Sequence, residues 1–214
     1  MPAIVSIVGN SNSGKTTLVE KIVRELKTRG YRIATVKHTP QEATLDEPGK
    51  DSWRHLQAGS EAAVVGSHDK IMLIKPVTSA SVLDEVIRLL GEDYDIIIVE
   101  GFKQSETPKI EVHRKETGPL IKDLKNLIAI ATNEPTDTET VQFSIDDFKS
   151  IADLIETDFI KPQGDQLSLY VNDEPVSLSV FPKDIITNIL LGMANSLKGV
   201  KKVASIKAFL KMKE

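Results

Sequence analysis

The 214-residue chain carries 27 Lys and Arg against 31 Asp and Glu, with 40% hydrophobic residues and no cysteine. Its net charge of −4 argues against a main task of coating nucleic acid or an anionic membrane. The lack of thiols excludes disulfide frameworks, thiolate zinc sites, iron–sulfur clusters and cysteine nucleophiles.

The opening MPAIVSIVGN has neither the basic n-region nor the long apolar h-region of a signal peptide. No run approaches the roughly 18 apolar residues that span a bilayer. A globular cytoplasmic protein is therefore expected, with neither nucleic acid nor membrane as partner. Ala3–Val8 reads as a buried strand ending in glycine and polar residues. From Thr16 to Arg29, Leu18, Val19, Ile22, Val23 and Leu26 form the i, i+3, i+4 stripe of an amphipathic helix, and Gly30 stands where a C-cap is expected. Tyr31–Val36 is the next strand, followed by a polar loop over Lys37–Lys50, a short helix at Asp51–Ala58, and short strands at Glu61–Val65 and Ile71–Ile74. A second clear helix spans Ser79–Leu90. Asp95–Glu100 (DIIIVE) is an unbroken apolar run closed by an acid, the pattern of a strand covered on both faces in a parallel sheet. Strands at Lys109–Val112 and Leu127–Ala131 and a helix at Asp146–Glu156 complete an α/β, doubly wound, mainly parallel sheet.

Lys161–Asp165 reads as a linker between a main domain, residues 1–162, and a small extension, residues 167–214. In the extension, Leu167–Val171, an Asn172-Asp173 turn and Pro175–Val180 form a predicted hairpin, and Lys183–Leu197 a helix. Seven lysines against four acids make this extension basic and the preceding domain acidic.

Gly9-Asn10-Ser11-Asn12-Ser13-Gly14-Lys15-Thr16 fits the phosphate-binding loop G-x-x-x-x-G-K-[ST]. Its glycines let backbone N–H groups turn toward phosphate oxygens, and its lysine supplies a charge at the β- and γ-phosphates. The Thr16 hydroxyl is a candidate Mg²⁺ ligand. The loop follows a strand and opens a helix, the context the mechanism requires, so Gly9 through Thr17 are candidate nucleotide contacts. Ligands of open parallel sheets lie beyond the carboxyl ends of the strands. Glu100 and Gly101 end the central strand there, making Glu100 a candidate metal ligand and Gly101 a point of close approach. Lys37 and His38 occupy the same edge. Asp51 opens a short helix, where its carboxylate is read either as an N-cap or as a second acid for Mg²⁺. Asn133 follows the strand at Leu127–Ala131 and is a candidate for a purine edge. His55, His68 and His113 show no metal-ligand spacing, and Trp53 reads as a packing anchor. The Asn-Lys-x-Asp guanine signature is absent, leaving guanine and adenine undistinguished by these residues.

Gly9–Thr16 with Thr17-Leu18, Val36-Lys37-His38, Pro48-Gly49-Lys50-Asp51-Ser52, Ala58-Gly59 and Val99-Glu100-Gly101-Phe102-Lys103 occur in that order. Together they resemble the molybdopterin-guanine dinucleotide biosynthesis protein B (MobB) family over roughly residues 1–160. The resemblance implies a P-loop protein that binds GTP and Mg²⁺ with weak GTPase activity, usually as a homodimer. It would act as an adaptor or nucleotide carrier beside a guanylyltransferase (MobA) that joins GMP to molybdopterin. More distantly, the sequence is similar to dethiobiotin synthetase-like P-loop enzymes. In those a lysine after the second strand contacts phosphate, while a loop Asp and the Glu of a V-E-G segment hold Mg²⁺. Those roles fall on Lys37, Asp51 and Glu100. Lys15 and Lys37 are accordingly the expected catalytic cations, and Thr16, Asp51 and Glu100 the expected metal ligands. The loop lacks the extra lysine near its start that many related dimeric ATPases have, so activation by a lysine in trans is not expected. Alternatives from other classes are an ATP-dependent small-molecule kinase or ligase and a nucleotide-switched binding module without catalysis.

Overall fold

The computed structural model describes residues 2–39, 46–77, 81–162, 167, 169–172, 174–203, 205–208 and 210. In chain order the elements are β1 (Ala3–Gly9), α1 (Lys15–Thr28), β2 (Ile33–Lys37), α2 (Asp51–Gln57), β3 (Ala63–Gly66), β4 (Ile71–Ile74), α3 (Val82–Leu90), β5 (Ile96–Glu100), β6 (Lys109–Val112), β7 (Leu127–Ala131), β8 (Gln142–Phe143) and α4 (Phe148–Ile155). They are followed by β9 (Leu169–Val171), β10 (Glu174–Val176) and α5 (Val180–Ser196). The chain divides into two compact units, Pro2–Gln163 and Gly164–Glu214. No helix among the described residues is long and apolar enough to cross a membrane.

In the first unit, six strands form a sheet in the order β2-β5-β1-β6-β7-β8, every pairing parallel. Val5 and Ile7 of β1, Ile96 and Ile98 of β5, and Ile110 and Val112 of β6 pack on one face with Leu18, Ile22 and Leu26 of α1 and Ile151 and Ile155 of α4. Ala34, Val36, Ile97 and Val99 pack on the other face with Leu83 and Ile87 of α3. Burial on both faces explains why β5 reads as an unbroken apolar run rather than an alternating one. The predicted stripe of α1 is the buried one, and the helix ends as Gly30 takes φ +93, a conformation that costs glycine little.

Two helices, α3 and α5, start at other residues than the sequence predicts, each for a local reason. Helix α3 begins at Val82, because the Ser81 hydroxyl accepts from the Asp84 N–H at 3.2 Å and caps it; Ser79 and Ala80 lie outside the described residues. The strands β3 and β4 form their own antiparallel hairpin. β5 returns to β6 through residues 101–108 alone, without the helix usual for parallel crossovers. That segment is tied down by a 2.6 Å bond between the Ser6 and Thr107 hydroxyls and by Lys109, whose buried ammonium donates to the carbonyls of Ser105, Thr107 and Lys125. In the second unit β9 and β10 pair antiparallel, and Asn172 takes φ +53 in the turn; Asp173 lies outside the described residues. Helix α5 starts at Val180 rather than Lys183, since Pro182 falls in its first turn, where a missing N–H costs nothing.

A π-helical turn, Glu156–Ile160, continues α4. There Glu156 accepts from Arg29 at 2.5 Å, Tyr31 at 2.9 Å and Lys161 at 3.0 Å. Arg29 first, then Lys161 and Tyr31, pull its carboxyl down to about 2. That lies below the unfolded value of about 4.3, so the stabilisation is complete above about pH 4.5 and is lost as the pH falls toward 2. Glu156→Gln should lower the thermal midpoint at pH 7 and flatten its decline between pH 4.5 and 2. A midpoint and acid profile identical to wild type would refute this role.

Candidate phosphate-binding site

Gly9 ends β1 at φ +152, in register with Val112 of β6. A Cβ at Gly9 would lie 2.4 Å from the Val112 carbonyl oxygen and 2.7 Å from Ser13 Oγ, so the chain leaves the strand here only as glycine. Asn12 at φ +63 and Gly14 at φ +98 supply the left-handed residues with which such loops turn successive N–H groups to one side. Gly14 occupies the N-cap of α1, no side chain caps that end, and its first turn holds no acid. The positive end of the helix is therefore open to an anion. Lys15 reaches across the loop to donate to the Asn10 carbonyl at 2.7 Å. Burial lowers its pKa; Glu100 opposes this, while Lys103 and Lys37 reinforce it.

The strand register assembles the other side. Lys37 on β2 and Ile7 on β1 are both direct partners of Glu100 on β5. The Lys37 ammonium is accordingly 3.7 Å from Glu100 Oε1. The Thr16 hydroxyl donates to the same carboxylate, 3.0 Å from Oε1 and 2.9 Å from Oε2. A hydroxyl and a carboxylate meeting beside a phosphate loop fit Mg²⁺, a hard cation that takes few protein oxygens and shares the rest with phosphate and water. Among the described residues no cluster of three His, Asp or Glu side chains could form an all-protein metal cage.

His38 donates its backbone N–H to the Glu100 carbonyl at 2.9 Å and lays its ring 4.3 Å from that of Phe102. Gly101, at φ +102, donates its N–H to the Ile7 carbonyl at 3.0 Å, and its close approach is to His38 Cβ, 3.0 Å from where its own Cβ would stand. Both residues thus brace the turn that carries Glu100. Asp51 is not the cap of α2: Lys50 holds that position and Asp51 is the first helical residue. Its exposed carboxylate lies 3.8 Å from Arg54, and among the described residues no hydrogen bond or ion pair joins it to Thr16 or Glu100. Asn133 lies just beyond the carboxyl end of β7 in an open surface groove of about 500 Å³. Its Oδ1 accepts from the Ser144 hydroxyl at 2.9 Å and the Ile145 N–H at 3.1 Å, which fixes the amide toward β8.

Two cations escaped the sequence reading. Lys103 acts on Lys15 electrostatically; it had been visible only as the end of a five-residue motif. Arg114, just beyond β6, donates from Nε to the Ser13 carbonyl at 3.1 Å. No spacing rule marks either residue, because both lie on irregular backbone.

The model of the family described as molybdopterin guanine dinucleotide synthesis protein B, MobB, matches residues 4–133. A molybdopterin-guanine dinucleotide biosynthesis adapter protein of Haemophilus influenzae is 37% identical over 158 residues, covering 72% of this chain and 87% of that protein. The Escherichia coli protein of the same name is 31% identical over 161 residues, 72% of this chain and 92% of its own. Among solved structures, a molybdopterin-guanine biosynthesis protein B superposes with a TM-score of 0.58 at 30% identity, over 72% of this chain and 98% of its own. A MobB homolog from Bacillus stearothermophilus gives 0.56 at 26% identity, over 75% and 99%. With its Gly9–Thr16 loop inside the matched segment and its parallel sheet shared with those structures, the chain belongs to the MobB family.

Proposed function

We propose that this chain is a cytoplasmic adapter in molybdopterin-guanine dinucleotide biosynthesis that binds GTP with Mg²⁺ and serves a MobA-type guanylyltransferase. The observation that carries the nucleotide reading is the meeting of Thr16 with Glu100 at the mouth of an uncapped phosphate loop spanned by Lys15. Lys15 and the amides of Ser13–Thr17 would hold the phosphates, and Thr16 and Glu100 the Mg²⁺, which supplies charge neutralisation between the β- and γ-oxygens. Lys37, two-thirds exposed beside Glu100, faces the γ-phosphate or the anionic phosphate of the pterin. The chain's own contribution is positioning and electrostatic stabilisation. Among the described residues, Glu100 is the one carboxylate bonded to a loop side chain, and it is engaged with Thr16 and Lys37. Hydrolysis without a partner should therefore be slow. Asn133 would present its remaining amide donors to the guanine edge from the groove after β7. A reconstitution tests the assignment: guanine dinucleotide formation by the transferase, from GTP and molybdopterin, with and without this chain. Stimulation that excess ATP does not compete away supports it. No stimulation, or ATP-dependent turnover on a small acid instead, contradicts it.

The working form is a homodimer built on the β3–β4 hairpin. Its eight strand residues, AVVG and IMLI, include none of the charges with which natural edge strands block further pairing. Val64, Ile71 and Leu73 are 63%, 80% and 42% exposed. An isolated two-stranded hairpin is marginal in water, whereas a second copy offers the same apolar edges in return. Ile71→Glu, at the most exposed of these positions, should convert the dimer to a folded monomer in sedimentation velocity at micromolar concentration. An unchanged dimer would place the interface elsewhere.

A further inference from the structure

The arginines of the described residues follow one pattern with one exception. Arg24 pairs with Glu20, Arg29 with Glu25, Arg32 with Asp95, Arg54 with Asp51 and Arg88 with Glu85. Arg114 alone among them has no carboxylate partner. Its one hydrogen-bond acceptor is the Ser13 carbonyl, inside the phosphate loop and two residues before Lys15. Nε and Nη2 lie 3.7 and 3.8 Å from where a Cβ of Gly14 would stand, so the guanidinium rests against the second of the loop's two glycines, where no side chain intervenes. Anchoring Nε orients the rigid planar fork and leaves the terminal nitrogens available to another acceptor.

The backbone behind Arg114 is held as firmly. Its carbonyl accepts from the Thr117 N–H at 3.0 Å and the Thr117 hydroxyl at 2.8 Å. Farther along, the Pro119 carbonyl accepts from Asn10 Nδ2 at 3.0 Å, and the Ile121 N–H donates to buried Glu111 at 2.8 Å. The segment is thus stitched to the phosphate loop at two points and to β6 at a third. Lys37 and Lys103 come from β2 and from the residues after β5, whereas β6 pairs with the opposite edge of β1. Building on the nucleotide-binding reading above, we propose that Arg114 is a phosphate-contacting residue. It closes the β6 side of the site by donating from its terminal nitrogens to a phosphate oxygen of the nucleotide in the loop.

The test is calorimetric titration of the full chain with Mg·GTP at several salt concentrations, for wild type, Lys15→Ala, Arg114→Ala and Arg114→Lys. Arg114→Ala should bind roughly 10- to 100-fold more weakly, the range of a charge-assisted hydrogen bond, with a shallower salt dependence. Arg114→Lys should restore the salt dependence and only part of the affinity, keeping the charge and losing the fork. A folded Arg114→Ala with wild-type affinity and salt dependence overturns the proposal. So does a loss that Arg114→Lys fails to reduce and that leaves the salt dependence unchanged, since the arginine is then a loop latch only. If Arg114→Ala does not fold, Arg114→Lys against wild type decides on the same two readouts. Wild-type binding that Lys15→Ala abolishes shows the nucleotide reading intact while Arg114 is judged. A wild type that binds no Mg·GTP overturns both.

Discussion

Lys15→Ala should weaken Mg·GTP binding by at least about 100-fold while leaving the thermal midpoint close to wild type. The two outcomes separate because Lys15 does little for the fold. Its ammonium makes one hydrogen bond, to the Asn10 carbonyl, across a loop whose shape is set by Gly9, Asn12 and Gly14. Alanine is also the best helix former for the first turn of α1. For a ligand the lysine matters far more. It is partly desolvated, and Lys37 and Lys103 repel it while Glu100 is its single favourable charge. An arriving triphosphate relieves that imbalance. Titration calorimetry paired with a melting curve reads both effects. Unchanged affinity in Lys15→Ala would mean that the loop is not the nucleotide site.

Gly9→Ala is the severe structural case. It should cost about 3 kcal/mol or more of stability and nucleotide binding with it. The new methyl would stand 2.4 Å from the Val112 carbonyl oxygen and 2.7 Å from Ser13 Oγ. Ser13 offers some relief, because its buried hydroxyl has no partner to lose by rotating. The Val112 carbonyl offers none, being backbone of a strand paired with both β1 and β7. Gly59→Ala is the natural control. It shares a positive φ but meets nothing within 4 Å, and should cost only the roughly 1 kcal/mol of a strained turn. Urea denaturation of both variants checks the contrast. Equal losses at the two positions would show that the steric account of Gly9 is mistaken.

The parts of this molecule that could be read from sequence are those governed by repetition or by a motif of fixed geometry. β1, β5 and α1 announce themselves through unbroken apolar runs and a helical stripe, and two-faced burial then implies the parallel sheet. Lys37 and Glu100 could be placed together because both end strands at the same edge; the structure makes them register partners. Irregular backbone carries no such periodicity. The loop that presents Arg114 gives no pattern to count, and β8 is two residues long. Lys109 looks like a solvated strand start, yet it is fully buried because the 101–108 crossover lies over it and supplies carbonyls for its ammonium. Asp51 reads from its place at the start of a short helix as a cap or a metal ligand, and from the resemblance as a metal ligand. The loop between β2 and α2 offers no periodicity to count, so local sequence does not encode how near this carboxylate lies to Thr16 and Glu100; its ion pair is with Arg54.

The most direct test of the central claim is titration of the full chain with GTP in Mg²⁺ and again in EDTA, with ATP as the comparison. One GTP per chain should bind, at least about tenfold more weakly without the metal, with ATP weaker than GTP under both conditions. Failure to bind GTP, or equal affinity for GTP and ATP that does not respond to Mg²⁺, would contradict the assignment of this loop as a Mg·GTP site.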